Sequence, residues 1–215
     1  MRTIPVCCMC LVLACAATAR AQQPEWEVGG AVGFGSMQNA TVSNLSGSAG
    51  VGFDNRFAAG AVLGQDLYQH FGGELRYMFR DNDLVLKSAG QKVNMDGDSH
   101  LIHYDALFHA LSKESRIRPY VAGGAGIRFF RATGKEYPSQ PLSDFAYLTR
   151  TDEVKPLISA GGGVKFRVSE HAVIRADFRE YFSPFPEKLF VVTPGTKIRG
   201  WLYDAVPFVG VSWMF

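Results

Sequence analysis

The chain has 215 residues, of which 47% are hydrophobic and 20% are charged, and its formal net charge is +2. This length and composition indicate one folded domain and exclude a disordered chain. The small charge offers no electrostatic basis for binding nucleic acid. Beyond the N-terminal segment, no run approaches the roughly 18 apolar residues that a membrane helix needs.

The first 21 residues have the pattern of a secretory signal peptide. Arg2 precedes an apolar stretch from Ile4 to Ala17, and Ala19-Arg20-Ala21 is a small-x-small cleavage signal. Cleavage after Ala21 removes two arginines and no acid, so +2 minus 2 leaves residues 22–215 close to neutral. We therefore expect a signal peptide over residues 1–21 and a single domain over residues 22–215.

The cysteines bear on how this segment is processed. All four lie within it, at Cys7, Cys8, Cys10 and Cys15. A chain cut after Ala21 can therefore form neither a disulfide nor a thiolate metal site. An alternative is lipoprotein processing, because Val12-Leu13-Ala14 precedes Cys15 in the manner of a lipidation signal.

A period of two predicts β-strands along the rest of the chain. In LIHYDALFHAL, Ile102 and Tyr104 fall on one face while His103, Asp105 and His109 fall on the other. Frequent glycine, as in AGGAG and AGGG, disfavours helix and suits curved strands. The pattern predicts eight strands, at about residues 25–38, 56–67, 71–81, 100–111, 119–131, 154–168, 172–182 and 201–215.

The connections between these strands alternate in length. Short links are predicted near residues 68–70, 112–118 and 169–171, whereas the other connections are long, as in MQNATVSNLSGSAGVGFDN. Long loops at one end and short turns at the other are typical of outer-membrane barrels. An eight-stranded meander places both termini at the short-turn end, which we expect to be periplasmic. A soluble lipocalin-like barrel shares this connectivity, with its charges facing water.

Aromatic residues on the apolar faces favour the membrane barrel. Two belts separated by aliphatic and small residues are typical of the girdles at the two membrane interfaces. A lysine or arginine facing the bilayer centre costs about 2–4 kcal/mol, so the charges must face the lumen. The belt predicted at the short-turn end is Trp26, Phe71, Phe108, Tyr120, Phe166, Trp213 and Phe215. The opposite belt is Phe34, Phe57, Phe79, Phe129, Phe182 and Trp201.

The C-terminal residues FVGVSWMF resemble the insertion signal of outer-membrane β-barrels, through Gly210, Trp213 and Phe215. Phe208 departs from that signal, where a polar residue is common. With the signal peptide and the loop alternation, the chain resembles the small eight-stranded OmpA-like or opacity-type barrel family over nearly the whole of residues 22–215. Pro207 interrupts the last strand, and we expect a bulge or local kink there.

The resemblance implies an all-β fold, an eight-stranded antiparallel up-and-down transmembrane β-barrel in the outer membrane. It also implies two partners, the outer-membrane lipid and the barrel-assembly machinery, which would be engaged through the C-terminal strand. No second domain is expected after the barrel, and hence no peptidoglycan anchoring through one.

Charged and polar residues on the opposite strand faces should fill the lumen, which in an eight-stranded barrel is just wide enough for side chains. We expect a buried network of salt bridges and hydrogen bonds, with a narrow ion path as the alternative. The predicted lumen set is Glu27, Glu74, Arg76, Arg80, His103, Asp105, His109, Arg128, Lys165, Arg167, Arg175, Asp177, Arg179 and Asp204.

No catalytic, metal or cofactor site is predicted. A strand rise of about 3.3 Å per residue separates His103 from His109 by roughly 20 Å, too far to share a metal. No serine or cysteine nucleophile is evident beside His103 and Asp105. The loops at residues 131–153 and 183–200 suit adhesion or an extracellular partner, and equally suit strand extensions. The alternatives are a soluble periplasmic lipocalin-like binding barrel and an outer-membrane lipid-modifying enzyme.

Overall fold

The computed structural model describes residues 25–44, 47–193, 198 and 200–215. The predicted signal peptide lies outside these residues. Within them, no helix is long and apolar enough to cross a membrane. The strands are β1 (Glu25–Met37), β2 (Ala40–Asn44), β3 (Gly47–Phe53), β4 (Arg56–Asp66), β5 (Phe71–Asp81), β6 (Leu84–Ser88), β7 (Gln91–Met95), β8 (Gly97–His109), β9 (Ile117–Ala132), β10 (Ala146–Leu148), β11 (Asp152–Arg167), β12 (Ala172–Pro184), β13 (Phe190–Val192) and β14 (Trp201–Met214).

Eight of these strands close into an antiparallel barrel, in which β1, β4, β5, β8, β9, β11, β12 and β14 are neighbours in chain order. The barrel closes where β14 pairs with β1. At its end, Trp26 and Phe215 exchange backbone hydrogen bonds of 3.0 and 2.9 Å. Closure leaves no open sheet edge in the barrel wall, which a strand in lipid requires. The predicted fold class and all eight barrel strands are confirmed, with small shifts in their ends.

Side chains alternate strictly between the two faces of the wall. In β8, Leu101, His103 and Asp105 are buried inside the barrel, while Ile102 and Tyr104 are exposed outside. The charged faces therefore line the lumen and the apolar faces cover the outside, which is the reverse of a soluble barrel.

The long connections also form strands, which extend one side of the barrel. A four-stranded sheet runs in the order β2, β3, β6, β7. Each of its strands lies next in the chain to a barrel strand, in the order β1, β4, β5, β8, so the sheet prolongs the N-terminal half of the wall. The connection between β9 and β11 contains β10, which pairs with β13 in the connection between β12 and β14. The sequence analysis missed β2, β3, β6 and β7. The strands β2 and β3 lie in a run rich in Ser, Asn and Gly, and β6 and β7 are only five residues long.

An apolar core lies beneath these extra strands and closes the long-loop end of the barrel. Phe53 is at its centre, with ring centroids 5.6 Å from Phe130 and 5.4 Å from Phe190. We call this core the apolar cap. Its buried members are Met37, Val42, Ala49, Val51, Phe53, Leu84, Leu86, Met95, Phe130, Ala132, Ala146, Leu148, Phe185, Leu189, Phe190, Ile198 and Leu202.

The bulge predicted at Pro207 and the outward orientation predicted for Tyr120 are wrong. The register between β1 and β14 is the same on either side of Pro207, from Gly33–Phe208 to Ser36–Ala205, so no bulge is present. Proline has no N–H to donate, and the pairing simply skips two positions there. Tyr120, assigned to the lipid-facing belt, points into the lumen and is 4% exposed.

Candidate functional site

The lumen contains a cluster of charged side chains at mid-height. Arg76, from β5, donates to both carboxylate oxygens of Asp177, from β12, at 3.1 and 3.0 Å. Its Nε also donates to Glu74. The guanidinium of Arg175 lies 2.8 Å from Glu74 and 3.1 Å from Asp177. The cluster therefore ties strands on opposite parts of the wall together across the lumen.

The same cluster continues through Arg179, whose guanidinium lies 2.9 Å from Asp105 and 3.4 Å from Glu74. Asp105 is also 3.0 Å from Nδ1 of His103. At the short-turn side, Lys165 contacts Glu27. We call these side chains the central network; its four cations, Arg76, Arg175, Arg179 and Lys165, face four carboxylates, Glu27, Glu74, Asp105 and Asp177.

Glycines on the inner wall provide the room for these long side chains. A Cβ added at Gly35 would lie 2.6 Å from Cζ of Arg80, inside the space that the guanidinium fills. A Cβ at Gly161 would lie 2.9 Å from Cδ of Arg179. The glycine-rich inner faces therefore have a packing role in addition to allowing strong curvature.

A second group of charges lies nearer the long-loop end. Arg80 donates to Asp204 at 2.7 and 3.2 Å, and Arg128 lies 3.1 Å from the same carboxylate. Arg128 also donates to the hydroxyl of Ser99 at 3.1 and 3.0 Å, and its guanidinium lies over the ring of Phe130. The rim above it holds Arg56, which pairs with Asp81 at 3.2 Å and with Asp83.

The short-turn end of the lumen is also filled. Arg118 pairs with Asp66 there, and both are buried. The hydroxyl of Tyr120 accepts a hydrogen bond of 2.9 Å from Arg175, and its ring packs beside the guanidinium of that arginine. Tyr120 thus belongs to the lumen because it occupies the same strand face as Arg118 and Arg128.

The structure places almost every predicted lumen residue inside the barrel. Glu74, Arg76, His103, Asp105, Arg128, Lys165, Arg175, Asp177 and Arg179 are all buried, as are Glu27, Arg80, His109 and Asp204. Arg167 is only half-buried at the short-turn end, where it donates to the carbonyl of Lys113 at 2.8 Å. Sequence reasoning missed Asp66, Ser99, Arg118, Tyr120 and Tyr181. Counting every second residue from an assigned lumen position finds all of these except Asp66, because no lumen position was assigned on β4.

The His103–Asp105 pair is not arranged for nucleophilic catalysis. Ser159, which the sequence did not place beside them, comes within 3.5 Å of Asp105. The serine thus contacts the carboxylate, whereas a nucleophile needs contact with the histidine base. All three side chains are buried at 1% exposure or less, so no substrate reaches them. No group of three His, Cys, Asp or Glu residues in the described part of the chain is placed to hold a metal ion.

The outer surface of the barrel carries two aromatic belts. Trp26, Phe71, Phe108, Trp213 and Phe215 are exposed at the short-turn end. Phe34, Phe57 and Trp201 are exposed at the other end, joined by Tyr203. Aliphatic side chains such as Val32, Leu63, Ile102, Ile158 and Val209 cover the band between them. This banding fits the two interfaces and the hydrocarbon core of a bilayer.

The residues of the predicted insertion signal lie at the closing seam. Gly210 pairs with Ala31, and Trp213 with Val28, in the β1–β14 register. Trp213 and Phe215 point outward, whereas Phe208 points into the lumen, 2% exposed, beside the guanidinium of Arg76. The departure of Phe208 from a polar residue is thus accommodated by contact with a cation over its ring.

A closed eight-stranded barrel with a charged, self-paired interior and an apolar, belted exterior is an integral outer-membrane β-barrel with surface-exposed loops. This chain belongs to the outer membrane protein beta-barrel domain family, which matches residues 6–187. No curated protein sequence matches it significantly.

Solved structures share the fold at low sequence identity. OprG from Pseudomonas aeruginosa is 12% identical with a TM-score of 0.57, covering 89% of this chain and 95% of that one. Neisserial surface protein A is also 12% identical, with a TM-score of 0.52, and the match covers 89% of this chain and 97% of that protein. AlkL, solved in lipid bilayers, is 14% identical with a TM-score of 0.50, and the match covers 92% of this chain and 93% of AlkL. The family match places this chain in the outer membrane.

Proposed function

We propose that this chain is a non-enzymatic, non-conducting outer-membrane barrel that acts at the cell surface through its folded loops. The observation that carries the proposal is the continuous filling of the lumen. The central network occupies mid-height, the Arg80–Asp204–Arg128 group lies above it, and the apolar cap covers the long-loop end. A solute crossing this lumen would have to break buried ion pairs, each costing several kcal/mol.

The proposal includes a topology. Both barrel ends of the chain, Glu25 and Phe215, lie at the short-turn end, which we assign to the periplasm because outer-membrane barrels carry their long loops outside. Export would use the predicted signal peptide, residues 1–21, with lipidation at Cys15 as the competing route. The assembly machinery would engage the last strand through Gly210, Trp213 and Phe215.

The surface partner would contact the strands above the apolar cap. Tyr147 and Val191 pair across β10 and β13, and both are exposed. Tyr137 is exposed nearby in the chain, with the ammonium of Lys135 5.5 Å from its ring centre. Exposed aromatic side chains held on a packed base are suited to protein or glycan contacts. The membrane-facing partner is the outer-membrane lipid around the two belts.

Planar-bilayer recording tests the proposal. The folded wild-type chain should give no steady conductance, while a triple variant Arg76→Ala, Arg175→Ala, Arg179→Ala should open the lumen and give current steps. Steady steps from the wild type, matching in size those of the triple variant, would overturn the sealed-barrel function. Tyr137→Ser with Tyr147→Ser should keep wild-type membrane levels and reduce adherence of the cells to surfaces and to each other.

A further inference from the structure

The charged group near the long-loop end differs from the central network in its charge balance. Two guanidinium groups, Arg80 and Arg128, share the single carboxylate of Asp204, and all three side chains are completely buried. We call these three residues the upper cationic layer. Its formal charge is +1, whereas the four cations and four carboxylates of the central network cancel.

Neighbouring carboxylates do not cancel this charge. Glu153 pairs with Lys155 at 2.8 Å. The rim group of Arg56, Asp81 and Asp83 has a formal charge of −1, but the side chains of Arg56 and Asp81 are 42% and 38% exposed, so water screens this charge. Neither carboxylate forms an ion pair with Arg80 or Arg128. Burial raises the pKa of the Asp83 carboxyl, so that carboxylate is poorly stabilised where it stands. An arginine side chain keeps its proton in proteins at neutral pH, so loss of a proton does not remove the excess.

Several hydrogen-bond donors around the layer are buried without an acceptor. They are Asn82 Nδ2, Tyr181 Oη and Ser183 Oγ. Ser99 connects Asn82 to Arg128, because its hydroxyl accepts from Nη2 of Arg128 at 3.0 Å and donates to Oδ1 of Asn82 at 2.8 Å. Tyr181 pairs with Asp204 across β12 and β14, and Ser183 lies one inward position further along β12.

Apolar side chains close off the layer from above and below. Phe130 and Leu202 of the apolar cap lie on its upper side along the strands, and Met78, Leu101 and Val206 lie on its lower side. In such surroundings an uncompensated charge is strongly destabilising. The contact of Arg128 with the ring of Phe130 offsets only part of this cost.

We propose that the upper cationic layer binds one small monovalent inorganic anion, such as chloride, beside Arg128 and within reach of the unpaired donors of Asn82, Tyr181 and Ser183. The layer has one positive charge in excess, which favours a monovalent ion. The close packing around the layer favours a small one. The ion has a structural role, completing the charge balance of the lumen. This inference does not depend on the surface function proposed above.

The test uses the full-length chain, unfolded in urea and refolded into lipid vesicles with either chloride or gluconate at equal ionic strength. Because the ion binds only the folded state, the unfolding equilibrium constant should fall about tenfold for each tenfold rise in chloride above its dissociation constant. Gluconate, which is too large for the layer, should give no such fall. Equal stability in the two salts overturns the proposal.

Three variants separate this site from effects of salt at the surface. Arg128→Met removes the excess charge and should abolish the chloride dependence, whereas Arg131→Met, at an exposed arginine, should keep it in full. Asn82→Asp places a carboxylate in the layer and should also abolish the chloride dependence. This second variant tests the site if Arg128→Met does not fold. Chloride dependence of wild-type size in Asn82→Asp or Arg128→Met would overturn the assignment.

Discussion

The central network makes a quantitative prediction at Asp177. The Asp177→Asn substitution keeps the shape of the side chain but places a neutral amide against three guanidinium groups. Asp177 now accepts two hydrogen bonds from Arg76 and one from Arg175, at 3.0–3.1 Å, and lies 3.5 Å from Arg179. The substitution leaves four buried cations facing three carboxylates.

Removing one partner from a buried ion pair costs about 3–5 kcal/mol. Asp98 provides the matched control, because it also accepts two hydrogen bonds from an arginine, both 2.9 Å from Arg131. The side chain of Arg131 is 47% exposed, whereas the arginines around Asp177 are fully buried. Exposed pairs contribute about 0–1 kcal/mol. We therefore expect Asp177→Asn to destabilise the barrel by several kcal/mol more than Asp98→Asn does.

Urea titration of the folded protein in lipid vesicles measures both costs, with tryptophan fluorescence and the mobility of unboiled samples in SDS gels as readouts. Adding Arg175→Met to Asp177→Asn restores equal numbers of cations and carboxylates and should recover part of the stability. The reasoning is refuted if the two single substitutions cost the same, because burial of the network would then have no energetic consequence.

Three further predictions concern the seam, the inner wall and the cap. Deleting Phe215 removes both backbone hydrogen bonds to Trp26 and should lower the amount of assembled barrel severalfold, measured as heat-modifiable protein in the membrane fraction. Gly35→Ala should cost about 1–3 kcal/mol in the urea titration, because the new methyl group overlaps the guanidinium of Arg80. Phe53→Ala should remove about 3–5 kcal/mol from the apolar cap and make the long loops sensitive to protease, while the barrel strands stay protected.

Each of these has a control. Deletion of the exposed loop residue Ser139 should leave assembly at its wild-type level, and equal loss in both deletions would contradict the role of the seam. Gly30→Ala adds a methyl group 3.5 Å from the nearest atom, an ordinary contact, and should be tolerated. Tyr137→Ala, at an exposed position, should leave the loops resistant to protease; loops as sensitive as those of Phe53→Ala would contradict the packing argument.

The barrel itself is predictable from the sequence because its physical constraints are local. A strand that crosses lipid must alternate, so LIHYDALFHAL fixes both its strand and the direction of His103 and Asp105. The same rule applied consistently from Arg128 finds Tyr120 inside the lumen, and grouping Tyr120 with the outer aromatics by its residue type gave the wrong answer.

The parts that could not be predicted depend on contacts between distant segments. The strands β2 and β3 form because they continue the wall and cover an apolar core that is shared with Phe185 and Phe190, far along the chain. The partners inside the lumen depend on the tilt and register of the closed barrel. Alternation places Arg76 and Asp177 inside the lumen, but only closure shows that they meet.

In the proposed topology, the apolar cap of the outer-membrane barrel lies at the cell surface and the short turns lie in the periplasm. Because all four cysteines lie at positions 7–15, single cysteines can be introduced without background in residues 22–215. The experiment treats two variants, Tyr137→Cys in a long loop and Glu170→Cys in a short turn, with a membrane-impermeant maleimide. We predict that Tyr137→Cys is labelled in intact cells and Glu170→Cys only after the outer membrane is permeabilised; the opposite pattern would contradict the account.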